Sequence, residues 1–133
     1  MQDLEQAKAL LAQGEHTCVR VLNGEAKVSA ARRLEPLIAF LKEDENTLRG
    51  AAVADRVIGA AAAWLLAYGG AARVYGGVMS AGAAIVLEQY GIAYEFGEAV
   101  AFIQRPGSEA LCPMEERALT FTSAEQAYKE LVQ

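Results

Sequence analysis

The sequence predicts one α/β domain, a three-layer α/β/α sandwich around a mixed sheet that begins with an antiparallel hairpin and continues with parallel strands. Three observations lead there. Asn23-Gly24 stands between two β-branched runs, the strongest short-range signal for a type I′ hairpin. From Leu48 onward, apolar strand-like runs alternate with helix-like runs, and that order requires crossover connections and mainly parallel pairing. Finally, the 133 residues are 53% hydrophobic with 22% charged, enough to fill one core without disulfides or a structural metal.

The elements follow in order. Leu4, Ala7, Leu10 and Leu11 have helical spacing within an N-terminal helix of about residues 4–13, and Gly14 is its stop. Thr17 to Leu22 and Ala26 to Ala30 are the two hairpin strands. Leu34, Leu37, Ile38 and Leu41 form one face of a helix whose Pro36 falls in the first turn, where its missing N–H is harmless. Leu48 to Ala54 reads as a buried strand, with Asp55 as the cap of a helix starting at Arg56. That helix is apolar on every face through Tyr68, so it should be buried, and Gly69-Gly70 stops it.

Arg73 to Met79 is the next strand, with Ser80 capping a helix over Ala81 to Tyr90 that Gly91 terminates. Ile92 to Phe96 is the last strand. Ala99 to Gln104 is a short apolar run, Arg105-Pro106-Gly107-Ser108 a turn, and two C-terminal helices span about residues 113–132, the second capped by Ser123.

Charge and cysteine content exclude several function classes. With a net charge of −5 and twelve scattered Lys and Arg residues, the chain shows no positive stripe able to release counterions from phosphate, so neither nucleic acid nor an anionic membrane is an expected partner. The most apolar stretch, Val57 to Ala72, is shorter than a membrane span, and the acidic start Met1-Gln2-Asp3-Leu4-Glu5 is unlike a secretory signal. Cys18 and Cys112 lack framework spacing, which fits a reducing, cytoplasmic setting.

Three segments carry a family likeness: Val53-Ala54-Asp55-Arg56-Val57-Ile58-Gly59-Ala60-Ala61-Ala62, Arg73-Val74-Tyr75-Gly76-Gly77-Val78-Met79-Ser80 and Leu111-Cys112-Pro113-Met114-Glu115. In order and spacing the chain resembles the uncharacterised family called domain of unknown function 1893, grouped with the cytidine-deaminase-like superfamily. The resemblance implies that superfamily's sandwich, with no established activity. It also implies a lysine straight after the glycine of the buried helix, where this chain has Ala60, so a role that needs the lysine is in doubt.

A zinc nucleobase deaminase needs a His or Cys ligand followed two residues later by Glu, then a Pro-Cys-x-x-Cys pair. At the two corresponding helix starts this sequence has Asp55-Arg56-Val57 and Met79-Ser80-Ala81-Gly82-Ala83, neither of which offers a thiolate or imidazole. Zinc-dependent deamination is therefore not expected, and no cofactor is implied. His16, Cys18 and Cys112 could be imagined as another metal set, against the plainer reading of an exposed His16 and a packed Cys18.

Two residues are catalytic candidates. Cys112 precedes Pro113 as the cap of a helix with Glu115 at the third position, a capping-box arrangement in which the helix dipole would favour a thiolate nucleophile. Asp55, at the carboxyl end of a strand, could orient a substrate or act as a base, and it pairs with Ser80 as a candidate ligand-binding set at the site where open α/β sheets bind ligands. Both Asp55 and Ser80 also read as plain helix caps. The glycine pairs match neither phosphate-binding fingerprint. The expected functions are a small-molecule module for a nucleoside or related metabolite, a Cys112 enzyme, or an interaction protein whose apolar excess serves a homo-oligomer.

Overall fold

The computed structural model describes residues 2–104 and 112–133; the expected turn at Arg105 to Ser108 lies outside them. Among the described residues, six helices and five strands follow one another as α1 (Gln2–Ala12), β1 (Cys18–Leu22), β2 (Glu25–Ser29), α2 (Glu35–Glu43), β3 (Ala52–Ile58), α3 (Ala60–Gly69), β4 (Arg73–Ser80), α4 (Ala81–Gln89), β5 (Ala93–Val100), α5 (Pro113–Ala118) and α6 (Ala124–Leu131). The sheet order is β2-β1-β3-β4-β5. β1 pairs antiparallel with β2 and with β3, whereas β3-β4 and β4-β5 are parallel. The hairpin turn places Asn23 at φ 52° and Gly24 at φ 82°, the pair of positive angles a type I′ turn demands.

The two faces are covered unequally. Among the described residues, α1 alone covers one face, where Ala7 and Leu11 pack on Val19, Val21 and Ala54. The opposite face carries the main core: α3 contributes Ala60 to Leu66 almost without exposure, against Val53, Ile58, Val74 and Met79 from the sheet. α3 is thus buried on all sides, as its uniform apolarity dictates. α4 flanks it, and α5 and α6 close over it; Trp64 of α3 donates from Nε1 to the Ala118 carbonyl at 2.9 Å and meets the Tyr90 ring edge-on.

The strand anticipated at Leu48 to Ala54 is β3, and it runs on to Ile58, so Asp55 lies inside the strand instead of capping a helix at Arg56. Gly59 occupies the cap position of α3, and the chain enters the helix at Ala60. The β-branched pair Val57-Ile58 continues the parallel ladder with Val78 and Met79, and this pairing overrides the local capping signal. β5 is likewise longer than expected, reaching Val100 through pairing with Ser80.

The ladder has a coordinated irregularity. Asp55 pairs with Gly76 and Val57 with Val78, but Arg56 and Gly77 are not bridged; Gly77 and Gly97 are skipped in the same way between β4 and β5. Across this row the alternation of faces slips by one residue. Val53 and Val74 face the main core before it, and Ile58 and Met79 face the same core after it. An unbroken period of two would separate core-facing positions by an even number of residues, whereas Val53 to Ile58 and Val74 to Met79 are each five apart. The glycines are obligatory here: a Cβ on Gly77 would stand 2.8 Å from the Arg56 carbonyl oxygen, and one on Gly97 2.8 Å from the Gly77 carbonyl oxygen.

Candidate functional site

The slipped row shapes a groove on the α1 face. α1 presents Leu4, Ala7 and Leu11 to the sheet, which leaves Lys8 and Ala12 at its flank. Beside them β3 contributes Arg56, and β4 contributes Tyr75, Gly77 and Val78. The space between is a shallow groove of about 670 Å³, broadly open to solvent. Its position is set by the strand surface that α1 leaves uncovered.

The charged groups are held in place. Lys8 Nζ lies 2.8 Å from Glu95 of β5 and 3.8 Å from Glu5, and it stands 5.2 Å from the centre of the Tyr75 ring. The hydrogen bond that Lys8 donates to Glu95 raises the Lys8 pKa. Arg56 Nη2 donates to the Gly14 carbonyl at 2.7 Å, while its backbone N–H donates to the Thr17 carbonyl at 3.1 Å.

The residues singled out in the sequence lie elsewhere and do not converge. Asp55 is 5% exposed and faces Cys18 across the β1–β3 pairing. Its Oδ1 accepts from the Val57 N–H at 3.3 Å, and Oδ2 has no partner. Burial drives its pKa up to about 7; the Val57 N–H and the Cys18 thiol oppose that shift without cancelling it. Burial first, and the Asp55 carboxylate second, push the Cys18 thiol well above its ordinary range. Ser80 is 1% exposed and accepts from the Ala83 N–H at 3.1 Å as the cap of α4. It stands four residues beyond Gly76, the partner of Asp55 on β4, a separation of roughly 13 Å along the strand. Asp55 and Ser80 therefore do not line a common opening.

Cys112 does begin α5, but the capping box is absent. The Cys112 N–H donates to the Ile103 carbonyl at 2.9 Å instead. Glu115, 3% exposed, turns away from its own helix: Oε1 accepts from the Ala60 N–H at 2.5 Å and Oε2 from the Ile103 N–H at 2.8 Å. A carboxylate at the start of α3 satisfies one of its orphan donors and meets the positive end of its dipole. The crevice at the carboxyl ends of β3 and β4 is thereby filled by the chain itself, with Glu115 and Ile103 against Gly59 and Leu119 against Gly82. Among the described residues no three His, Cys, Asp or Glu side chains gather as a metal set, so His16, Cys18 and Cys112 do not form one.

Sequence reasoning missed the groove residues Lys8, Arg56 and Tyr75, which no local pattern connects. It also missed Arg20, 3% exposed, whose Nη1 donates to the Thr47 carbonyl at 3.2 Å; Nη2 lies 3.8 Å from Glu25 Oε1, and among the described residues Nε and Nη2 have no hydrogen-bond partner. The alternation of β1 held the signal, since Arg20 shares a face with buried Cys18.

Comparison with known proteins gives two findings. Residues 6–133 match the family model described as a domain of unknown function, DUF1893. The fold is similar to the crystal structure of a DUF1893 family protein from Thermotoga maritima, with a TM-score of 0.89 and 22% sequence identity, over 98% of this chain and 88% of that one. No match is found among curated proteins. Among the described residues, no helix is long and apolar enough to cross a membrane.

Proposed function

The chain belongs to the DUF1893 family, and on that footing we propose that it is a small-molecule-binding module built on a cytidine-deaminase-like sandwich without zinc chemistry. The sheet order β2-β1-β3-β4-β5, with an antiparallel hairpin leading into parallel strands, supports the finer fold reading. At the two helix starts where that chemistry would place its ligands, the chain has Gly59-Ala60-Ala61 and Ser80-Ala81-Gly82. These supply no thiolate or imidazole for zinc.

The observation that carries the binding role is the groove between α1 and β4, with a preformed floor and two tethered cations. Asp55 and Ser80 support the fold around it as buried groups. A nucleoside ligand rests on fold analogy alone, and the groove's own chemistry is the better guide to the ligand. The module works in the cytoplasm in this reading, as a monomer or a homo-oligomer. A Cys112 nucleophile draws no support from the geometry, because no hydrogen bond joins Cys112 to Asp55 or Ser80.

The test is a thermal-shift screen of small metabolites, followed by native mass spectrometry. A ligand at a hundred times its Kd stabilises by about 2.7 kcal/mol, a rise of roughly 10 °C for a chain of this size. A panel without any shift, together with a ligand-free native mass, would remove the proposal.

A further inference from the structure

The two cations of the groove are not equivalent. Lys8 is neutralised in place by Glu95 at 2.8 Å and Glu5 at 3.8 Å. Arg56 pairs with no carboxylate of the described residues within 4 Å; its one side-chain hydrogen bond among them goes to the neutral Gly14 carbonyl, which holds the guanidinium without neutralising it. Such a tethered, planar donor is the natural partner of a carboxylate, which it can engage with two parallel N–H bonds. Next to it the wall is apolar, made of Leu11 and Ala12 from α1 and Val78 from β4, with Val57 of β3 44% exposed beside Arg56 in the chain. Glu5 also lines the groove and repels an anion in proportion to its charge, which favours a monoanion over a dianion such as a phosphate monoester.

Resting on the binding role proposed above, we infer that the groove takes a small organic monocarboxylate, its headgroup on Arg56 and its hydrocarbon body along Leu11, Ala12 and Val78. The charge selects the head and the wall selects the tail. The mechanism of selectivity is differential: an alcohol of the same length keeps the tail contacts and lacks the paired hydrogen bonds, while an amine placed with its tail on the same wall meets like charge at Arg56.

The probes are hexanoate, hexan-1-ol and hexylamine, titrated into the full chain and followed by amide chemical shifts. Hexanoate is expected to move the Leu11, Gly77 and Val78 amides and to bind about tenfold more tightly than hexan-1-ol. Arg56→Gln should weaken hexanoate by about the same factor while leaving hexan-1-ol unchanged, and Arg56→Lys should fall between. Equal binding of acid and alcohol, or indifference to Arg56→Gln in a variant with unchanged Tm, would overturn the carboxylate inference and leave the binding role standing. If no probe moves the groove amides at millimolar concentration, while the metabolite screen finds a ligand that does, the inference again fails alone. If both are silent, the two fall together.

Discussion

Asp55→Asn isolates the energetic consequence of burying a carboxylate without a cation. In the folded chain Asp55 is held at a pKa of about 7 by burial, whereas an unfolded Asp titrates near 3.9. Between those values the folded state binds the proton that the unfolded state has released, so stability must fall as pH rises. The contribution is complete below the unfolded pKa and is lost as pH passes through about 7. From pH 5 to pH 8 the wild-type chain should lose about 2.5 kcal/mol on this account, at roughly 1.4 kcal/mol per unit until the folded pKa is reached. Asn keeps the acceptor for the Val57 N–H and cannot ionise, so its profile over the same interval should be flat. Its amide N–H group, placed where Oδ2 has no partner, should make it somewhat less stable than wild type at pH 5, by about 1–2 kcal/mol. Urea unfolding at each pH unit, followed by the fluorescence of Trp64, the only tryptophan, reads both curves. Parallel profiles for the two proteins would refute the reasoning, because they would mean that Asp55 is not protonated on folding.

Glu115→Ala removes the acceptor of two N–H groups on different segments, Ala60 and Ile103. Orphaning both should cost about 2–4 kcal/mol in urea unfolding, and a loss below half a kcal/mol would show that water replaces the carboxylate. Gly77→Ala drives a methyl into the Arg56 carbonyl oxygen at 2.8 Å, a backbone atom that cannot swing aside, and should lower stability by about 1–3 kcal/mol. An unchanged Tm would mean that the slipped row is plastic. Ser123→Ala deletes the side-chain cap on the Gln126 N–H and should cost about 1 kcal/mol by the same assay.

How legible these features were depends on how local their causes are. Asn23-Gly24, Ser80, Gly70 and Ser123 act within a few residues of themselves, and each does in the structure what its chemistry announces: a hairpin, two side-chain caps and a left-handed helix end. The local signal at Asp55 misleads for a long-range reason. The slip at Arg56 breaks the period of two just where a reader looks for the strand to continue, and Asp followed by an apolar run then imitates a helix cap. β5 hides in the same way, because it is largely exposed and Glu95, Gly97 and Glu98 dilute its apolar pattern. Glu115 was assigned to the correct helical turn, yet its partner lies in α3, a choice that only the tertiary packing makes. The groove was invisible altogether, since Lys8, Arg56 and Tyr75 meet through α1 docking on the sheet.

The unbridged row of Arg56, Gly77 and Gly97 crosses three parallel strands at one level. Mechanically this is a crease. Rows on either side carry the pairing, so bending or breathing of the sheet should concentrate along it, and the Gly77 and Gly97 amides should exchange with solvent faster than those of their neighbours. Arg56 and Gly77 also line the groove, so an occupant would lie across the crease and stiffen it. Slower exchange of those amides in the presence of a ligand would reveal occupancy even where the bound molecule itself escapes detection.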